Sequence, residues 1–172
     1  MTEIADLTTA ILAGGLGTRL RSVIADRPKV LAEVHQRPFL EYLLDQLAAA
    51  KMREVVLCTG YLGDQIRDKI GERYRSRLHL KYSQEEQPLG TGGAVRQALG
   101  LCISDPILVM NGDSYVDVDL IGFLKWFCKE DVERILNVPE DMDIVAVIPV
   151  GYPAESPTRT RKPLSEVCEL LR

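Results

Sequence analysis

Three glycines within four residues, Gly14, Gly15 and Gly17, follow the apolar run Thr8 to Leu12. A buried strand that ends in such glycines can turn several backbone N–H groups toward a ligand and let that ligand come close. An anion suits such a cradle. Arg19 adds a planar, permanently charged fork matched to phosphate oxygens, and Lys29, within Arg27-Pro28-Lys29-Val30-Leu31, adds a second cation. Two cations beside a glycine loop predict a bound polyphosphate. Taken alone, the glycines read equally well as an unliganded strand-to-loop turn. Gly15-Leu16-Gly17-Thr18-Arg19-Leu20 lacks the third glycine of the dinucleotide fingerprint, and no Gly-Lys-Ser/Thr follows to make a P-loop. A nicotinamide cofactor or an ATPase is therefore disfavoured.

The stretch Leu12-Ala13-Gly14-Gly15-Leu16-Gly17-Thr18-Arg19-Leu20, followed by Pro28-Lys29-Val30-Leu31, resembles the signature of the sugar-1-phosphate nucleotidyltransferases. Three later stretches agree in order and spacing: Pro38-Phe39-Leu40-Glu41-Tyr42, Pro88-Leu89-Gly90-Thr91-Gly92-Gly93-Ala94 and Asn111-Gly112-Asp113. Within that family the nearest likeness, through Arg21-Ser22-Val23 and the Pro-Leu-Gly-Thr-Gly-Gly block, is to the guanylyltransferases acting on heptose or mannose 1-phosphate. It covers residues 8–130. The resemblance implies nucleotide contacts at Ala13, Gly14, Gly15, Gly17, Thr18, Glu85, Gly90 and Thr91. It also implies that Arg19 holds the leaving pyrophosphate, Lys29 bridges the reacting phosphates and Asp113 binds Mg²⁺. From the residues alone, Asp113 reads more readily as a turn aspartate bonding its own backbone.

Glu85 falls where the family's nucleobase contact is expected. A carboxylate offers only acceptors, and guanine presents adjacent N1–H and N2–H donors, whereas uracil sets an acceptor on either side of its single N3–H. Guanine is the base favoured, although Glu85, Glu86 and Gln87 also read as a plain polar loop. The implied reaction is in-line attack of a sugar 1-phosphate oxygen on the α-phosphorus of a nucleoside triphosphate. Positioning and charge neutralisation dominate such a step, and an ionised phosphate needs no general base. His35 and His79 accordingly read as surface or loop residues without partners.

Periodicity supplies the elements that must hold these groups. Leu40, Leu43, Leu44, Leu47 and Ala48 recur at helical spacing over Phe39 to Met52, with Pro38 in the first turn. Glu54 to Thr59 reads as a buried strand, broken by Gly60-Tyr61-Leu62-Gly63 before a helix from Asp64 to about Glu72. Leu78 to Ser83 alternates like a strand nearer an edge, Gly92 to Leu101 reads as a helix, and Pro106 to Met110 as a strand. Asp117 falls in a solvated loop and Asp119 at a helix N-cap. Strands alternating with helices predict an α/β fold with an open, doubly wound, Rossmann-like and mostly parallel sheet. Ligands in such sheets sit at the carboxyl ends of the strands, where the glycine loop and Asn111-Gly112-Asp113 both fall.

Composition narrows the partners. At 172 residues, with 21 Lys and Arg against 25 Asp and Glu, the chain is mildly acidic and nucleic acid is not an expected partner. Cys58, Cys102, Cys128 and Cys168 are too dispersed for a zinc or disulfide framework and read as core thiols of a cytoplasmic protein. No apolar run approaches the ~20 residues of a membrane span, and no signal-peptide pattern opens the chain.

Past residue 130 the nucleotidyltransferase likeness stops, without the sugar-binding residues and second acidic metal ligand that it leads one to expect. Arg134 to Asp141, Ile144 to Ala154 and Arg159 to Glu166 resemble instead the C-terminal end of the nitroreductase-type flavoproteins. The rest of that pattern is missing, so no flavin is inferred. The expected organisation is a nucleotide-binding domain over residues 1–130 and a strand with a basic tail of different ancestry over 131–172, a chimera of two fragments. Ile144 to Val150 is expected to complete the sheet edge or to pair with a second copy in a homodimer. Two functions follow: nucleotidyl transfer between a nucleoside triphosphate and a sugar 1-phosphate, or nucleotide binding without turnover because the sugar-binding half is lacking.

Overall fold

The computed structural model describes residues 4–15 and 27–129. They belong to the compact unit Met1–Val132; residues 133–172 form a second unit. The expectations for Ile144 to Val150 and for the tail lie outside the described residues.

In chain order the elements are β1 (Thr8–Leu12), a 3-10 turn (Lys29–Leu31), a hairpin of β2 (Glu33–Val34) and β3 (Arg37–Pro38), α1 (Phe39–Ala49) and β4 (Glu54–Thr59). There follow α2 (Gly63–Ile70), β5 (Arg73–Tyr74), β6 (Leu78–Gln84), α3 (Gly90–Ala98), β7 (Ile107–Asn111) and α4 (Leu120–Lys129). The main sheet runs β5-β6-β4-β1-β7, with every pairing parallel except β5 on β6. This is the expected α/β Rossmann-like sheet. β1, paired on both sides between β4 and β7, sets Ile11 opposite Leu57 on one side and Met110 on the other.

Alternation along the strands divides the core between two faces. Ile11, Val55 and Leu57 pack with Leu40, Leu43, Leu44 and Leu47 of α1, Ile66 of α2, and Leu120 and Leu124 of α4. Ala10, Val56 and Cys58 point the other way, onto Ala94 and Ala98 of α3. The small alanines let α3 lie close to the sheet. The chain therefore leaves β4 toward the first face and β6 toward the second. Adjacent strands whose connections part in this way open a crevice at their carboxyl ends.

Several boundaries move for local reasons. Pro38 closes the small hairpin with an extended ψ of 133° and stands at the N-cap rather than in the first turn, so α1 begins at Phe39, where its periodic pattern does. The helix stops at Ala49 rather than running to Met52, because Lys51 turns into the left-handed region at φ 62°. Lys51 N–H then donates to Ala48 O and Met52 N–H to Leu47 O, each at 3.1 Å, while Met52 and Leu47 share the core. Those paired bonds and that apolar contact make a Schellman stop, usually built on glycine. The β2–β3 hairpin was not legible in the sequence, since His35 and Gln36 hold positive φ at its turn in place of glycine or asparagine. His35 is exposed there, as expected of a surface residue. His79 is not without a partner: strand pairing brings its Nδ1 to 3.5 Å from Glu54 Oε1.

Arg37 ties the hairpin to α1 and β5. Its Nε donates to Glu41 Oε2 at 2.9 Å, and Nη2 donates to the Asp45 carboxylate and, at 2.7 Å, to the Tyr74 hydroxyl. Those carboxylates raise an already permanent charge further.

Lys51 is exposed and carries the cost of a left-handed backbone in its own residue. Replacing Lys51 with Gly is expected to stabilise the protein by about 0.5–1 kcal/mol in urea unfolding, with an unchanged m-value. Lys51→Val should destabilise it.

Candidate functional site

The site assembles where four strand ends meet. Beyond β1, Ala13 N–H donates to Cys58 O at 2.8 Å, so the chain stays in register with β4 for one more residue. Gly14 then crosses Gly60 backbone to backbone. A Cβ at Gly14 would lie 3.3 Å from Gly60 N, and one at Gly60 would lie 3.0 Å from Gly14 O. Gly14 is thus tied up in packing two loops together, whereas among the described residues nothing lies within 4 Å of a Cβ built at Gly15. Gly15 is the glycine here with open space in front of it. Gly17, Thr18 and Arg19 fall outside the described residues.

On the other side of β1, Gly112 N–H donates to Leu12 O at 2.9 Å. A side chain at Gly112 would meet Leu12 O at 2.6 Å and Val30 Cγ1 at 3.0 Å. Only glycine lets the turn after β7 pack down on the Lys29–Leu31 turn. Val30 and Leu31 are buried and anchor that turn from below, which leaves Lys29 standing above it. Lys29 Nζ consequently reaches Asp113 Oδ2 at 2.7 Å. This contact spans residues far apart in the chain and joins the expected phosphate cation to the expected metal ligand. Lys29 holds the Asp113 carboxyl below the usual carboxylate range; partial burial opposes that shift and the Ser114 hydroxyl, 3.3 Å away, adds to it. Gln46 of α1 donates to Val116 O at 2.9 Å and steadies the following loop.

Among the described residues no group of three or more His, Cys, Asp and Glu comes together as a ready metal cage. One half-exposed carboxylate nevertheless fits Mg²⁺, which takes one or two carboxylates and fills its octahedron with phosphate oxygens and water. Asp119, by contrast, caps α4, its Oδ1 accepting the Gly122 N–H at 2.9 Å, as its position in the sequence implies.

Glu85 lies one residue beyond β6, its N–H donating to Thr59 O at 2.8 Å. Its Oε2 accepts the Leu89 N–H at 3.0 Å, which closes the loop leading into α3. The carboxylate therefore has a structural partner that the sequence did not indicate. Gly90 opens α3 at φ 71°, and Gly90, Thr91 and Gly92 are exposed around a helix start that no side chain caps. Uncapped N–H groups at a helix start favour an anion. Sequence reasoning missed Gly60; the signal was a glycine directly after a buried strand, paired in space with another.

A family model described as nucleotidyl transferase matches residues 8–139. Among known relatives, the D-glycero-alpha-D-manno-heptose 1-phosphate guanylyltransferase of Campylobacter jejuni is 40% identical over 110 residues, covering 64% of this chain and 49% of that protein. A mannose-1-phosphate guanylyltransferase of Mycobacterium tuberculosis is 37% identical over 114 residues, covering 66% of this chain and 32% of its own length. HddC from Yersinia pseudotuberculosis, crystallised with GMP-PN, superposes with a TM-score of 0.62 at 34% identity, over 69% of this chain and 53% of that one. A putative glucose-1-phosphate thymidylyltransferase from Bacillus anthracis shares the fold, with a TM-score of 0.67 at 20% identity over 73% of this chain and 51% of that one. This chain spans about half the length of the heptose-phosphate relatives it matches.

The lowered Asp113 titration gives a signed prediction. A carboxyl whose folded value is depressed adds stability above its ordinary range and loses it as pH falls through the folded value. Lys29→Met should move the Asp113 carboxyl titration, followed by carbon NMR, up toward the ordinary range and flatten that acid limb. The stability change should be small, because the pair is 40% and 44% exposed and solvent screens it.

Proposed function

The chain belongs to the nucleotidyl transferase family, and from that premise we propose that it transfers a nucleoside monophosphate from a nucleoside triphosphate to a sugar 1-phosphate. A phosphate oxygen of the sugar attacks the α-phosphorus. The bond from that phosphorus to the oxygen bridging to the β-phosphate breaks, and pyrophosphate leaves with the electron pair. GTP is the preferred donor and heptose or mannose 1-phosphate the preferred acceptor, in line with the named activities of the relatives.

The observation that carries this reading is the Lys29–Asp113 pair, held at 2.7 Å at the end of β7, the strand next to the one that leads into Gly15. A cation and a carboxylate on one strand edge are what a triphosphate with its counter-ion requires. Gly15 and Gly17 cradle phosphates through their N–H groups, Arg19 holds the departing pyrophosphate, and Lys29 exchanges Asp113 for the reacting phosphates. Asp113 holds Mg²⁺, which supplies charge neutralisation and alignment of the phosphate oxygens. Gly90 and Thr91 offer the N–H groups of the helix start, and Glu85 accepts from the N1–H and N2–H of guanine. No residue is asked to act as a base.

A second reading, nucleotide binding without turnover, stands beside it. The two part in a single assay. Pyrophosphate release is measured with Mg²⁺, each of the four nucleoside triphosphates and a panel of hexose and heptose 1-phosphates. Release that needs both substrates is expected, and nucleotide binding with silence for every pair would favour the second reading. Asp113→Asn should lower release by about two orders of magnitude or more while GTP still binds. Glu85→Gln keeps an oxygen for the Leu89 N–H but loses one acceptor toward the base. Discrimination of GTP over UTP, read as the ratio of kcat/KM values, should fall on the order of tenfold.

A further inference from the structure

A cavity opens beside the Arg37 cluster, at the opposite end of β6 from Glu85. The turn that joins β5 to β6 precedes Leu78, the first residue of β6, whereas Glu85 follows its last. The 7 residues of that strand set the two ends about 20 Å apart. The cavity, about 490 Å³, is lined by Asp45, Ala48 and Ala49 of α1 and by Arg75 and Arg77 of the turn. A volume of that size suits a small organic molecule.

The charged groups of this wall differ in what already holds them. Asp45 accepts from Arg37 Nη2, from the Tyr74 hydroxyl at 2.9 Å, and from Arg75 through Nε at 2.9 Å and Nη2 at 3.1 Å. Arg37 also holds Glu41, so two guanidinium groups meet two carboxylates and that network is neutral. Arg77 stands outside it: among the described residues its guanidinium forms no hydrogen bond or ion pair. Its backbone is nevertheless fixed. Arg77 N–H donates to Tyr74 O at 3.0 Å, closing a tight turn whose central residues, Arg75 and Ser76, are left-handed at φ 48° and 57°. Asparagine and glycine fill such a turn at little cost, whereas arginine and serine do not. Strain of this kind gathers at ligand clamps. The carbonyls at the end of α1, which would repel an anion, are already occupied. Gln46 O, Leu47 O and Ala48 O accept the N–H groups of Ala50, Met52 and Lys51.

We propose that this cavity binds a small organic carboxylate, its anionic head paired with Arg77 and its apolar body against the Ala48 and Ala49 wall. A planar guanidinium grips a carboxylate through two parallel hydrogen bonds. A monoanion balances the one positive charge that the neutral network leaves over. The Asp45 carboxylate, on the same wall, opposes a second negative charge and so disfavours a phosphate dianion. This site is separate from the nucleotide site and does not depend on the function proposed for it.

Methyl NMR on the whole chain at low ionic strength tests this, with benzoate as the probe and phenyl phosphate and benzyl alcohol beside it. Benzoate should shift the Ala48 and Ala49 methyl signals saturably, with a Kd on the order of 1 mM. Arg77→Gln should weaken benzoate by about tenfold or more, and Ala49→Leu, which fills the cavity from an exposed position, should remove the response. Both variants should melt like the parent. Lys69→Gln, which removes an exposed cation of α2 outside the cavity wall, should bind benzoate as the parent does. No saturable shift with benzoate would overturn the inference. Equal benzoate binding by Arg77→Gln and the parent would overturn it as well, by reducing the effect to general charge attraction. Benzyl alcohol binding as tightly as benzoate would remove the anionic head, and phenyl phosphate binding more tightly would overturn the choice of a carboxylate.

Discussion

Hydrogen bonding between parallel strands does not stop where the strands do, and that continuation is what the site depends on. Ala13 bonds to Cys58, Gly112 to Leu12 and Glu85 to Thr59, each by a backbone N–H beyond the end of its strand. Four loops that would otherwise move independently are thereby referred to one frame, centred on β1, which is paired along its full length on both sides. Parallel sheets buried under helices keep water from competing for such bonds. Two close approaches in this frame, Gly14 on Gly60 and Gly112 on Leu12, need glycine. Glycine here serves strand-end packing as much as ligand access.

Two consequences follow for the chemistry. The frame sets Lys29 and Asp113 against each other, so an exposed charge pair neutralises the edge when no anion is bound. Such a pair is weak in water, so under the proposed function it would exchange readily for a phosphate on one side and a cation on the other. The frame also fixes the distance between the glycine loop after β1 and the loop after β6, with β4 between them. Opposite departures of the chain after β4 and β6 then make the crevice.

Away from the site the polar chemistry is of another kind. Arg37 gathers Glu41, Asp45 and Tyr74, and Arg75 Nε adds a contact to Asp45 Oδ1 at 2.9 Å. These bonds join the hairpin, α1 and β5. The cluster sits beside a cavity of about 490 Å³ lined by Asp45, Ala48, Ala49, Arg75 and Arg77, where Arg75 pairs with Asp45.

The amino-acid sequence by itself determined the kinds of element and most of their order, because hydrophobic period is a local property. Leu40, Leu43, Leu44 and Leu47 can satisfy their burial only as one helical stripe, and Val55 to Thr59 only as a strand covered on both faces. The glycine loop, Lys29, Glu85 and Asp113 could be singled out as candidates through the family resemblance, since the glycines, Glu85 and Asp113 each also had a plain structural reading. Tertiary structure decided what those residues touch. Nothing local says that Lys29 pairs with Asp113, that Glu85 holds the Leu89 N–H, or that Gly14 is taken up by Gly60. The hairpin at His35 and Gln36 and the stop at Lys51 were hidden for a related reason: side chains that usually avoid positive φ are held there by surrounding contacts. Contacts between distant segments depend on strand order and on which face each helix takes, and those are properties of the packed chain rather than of any stretch of it.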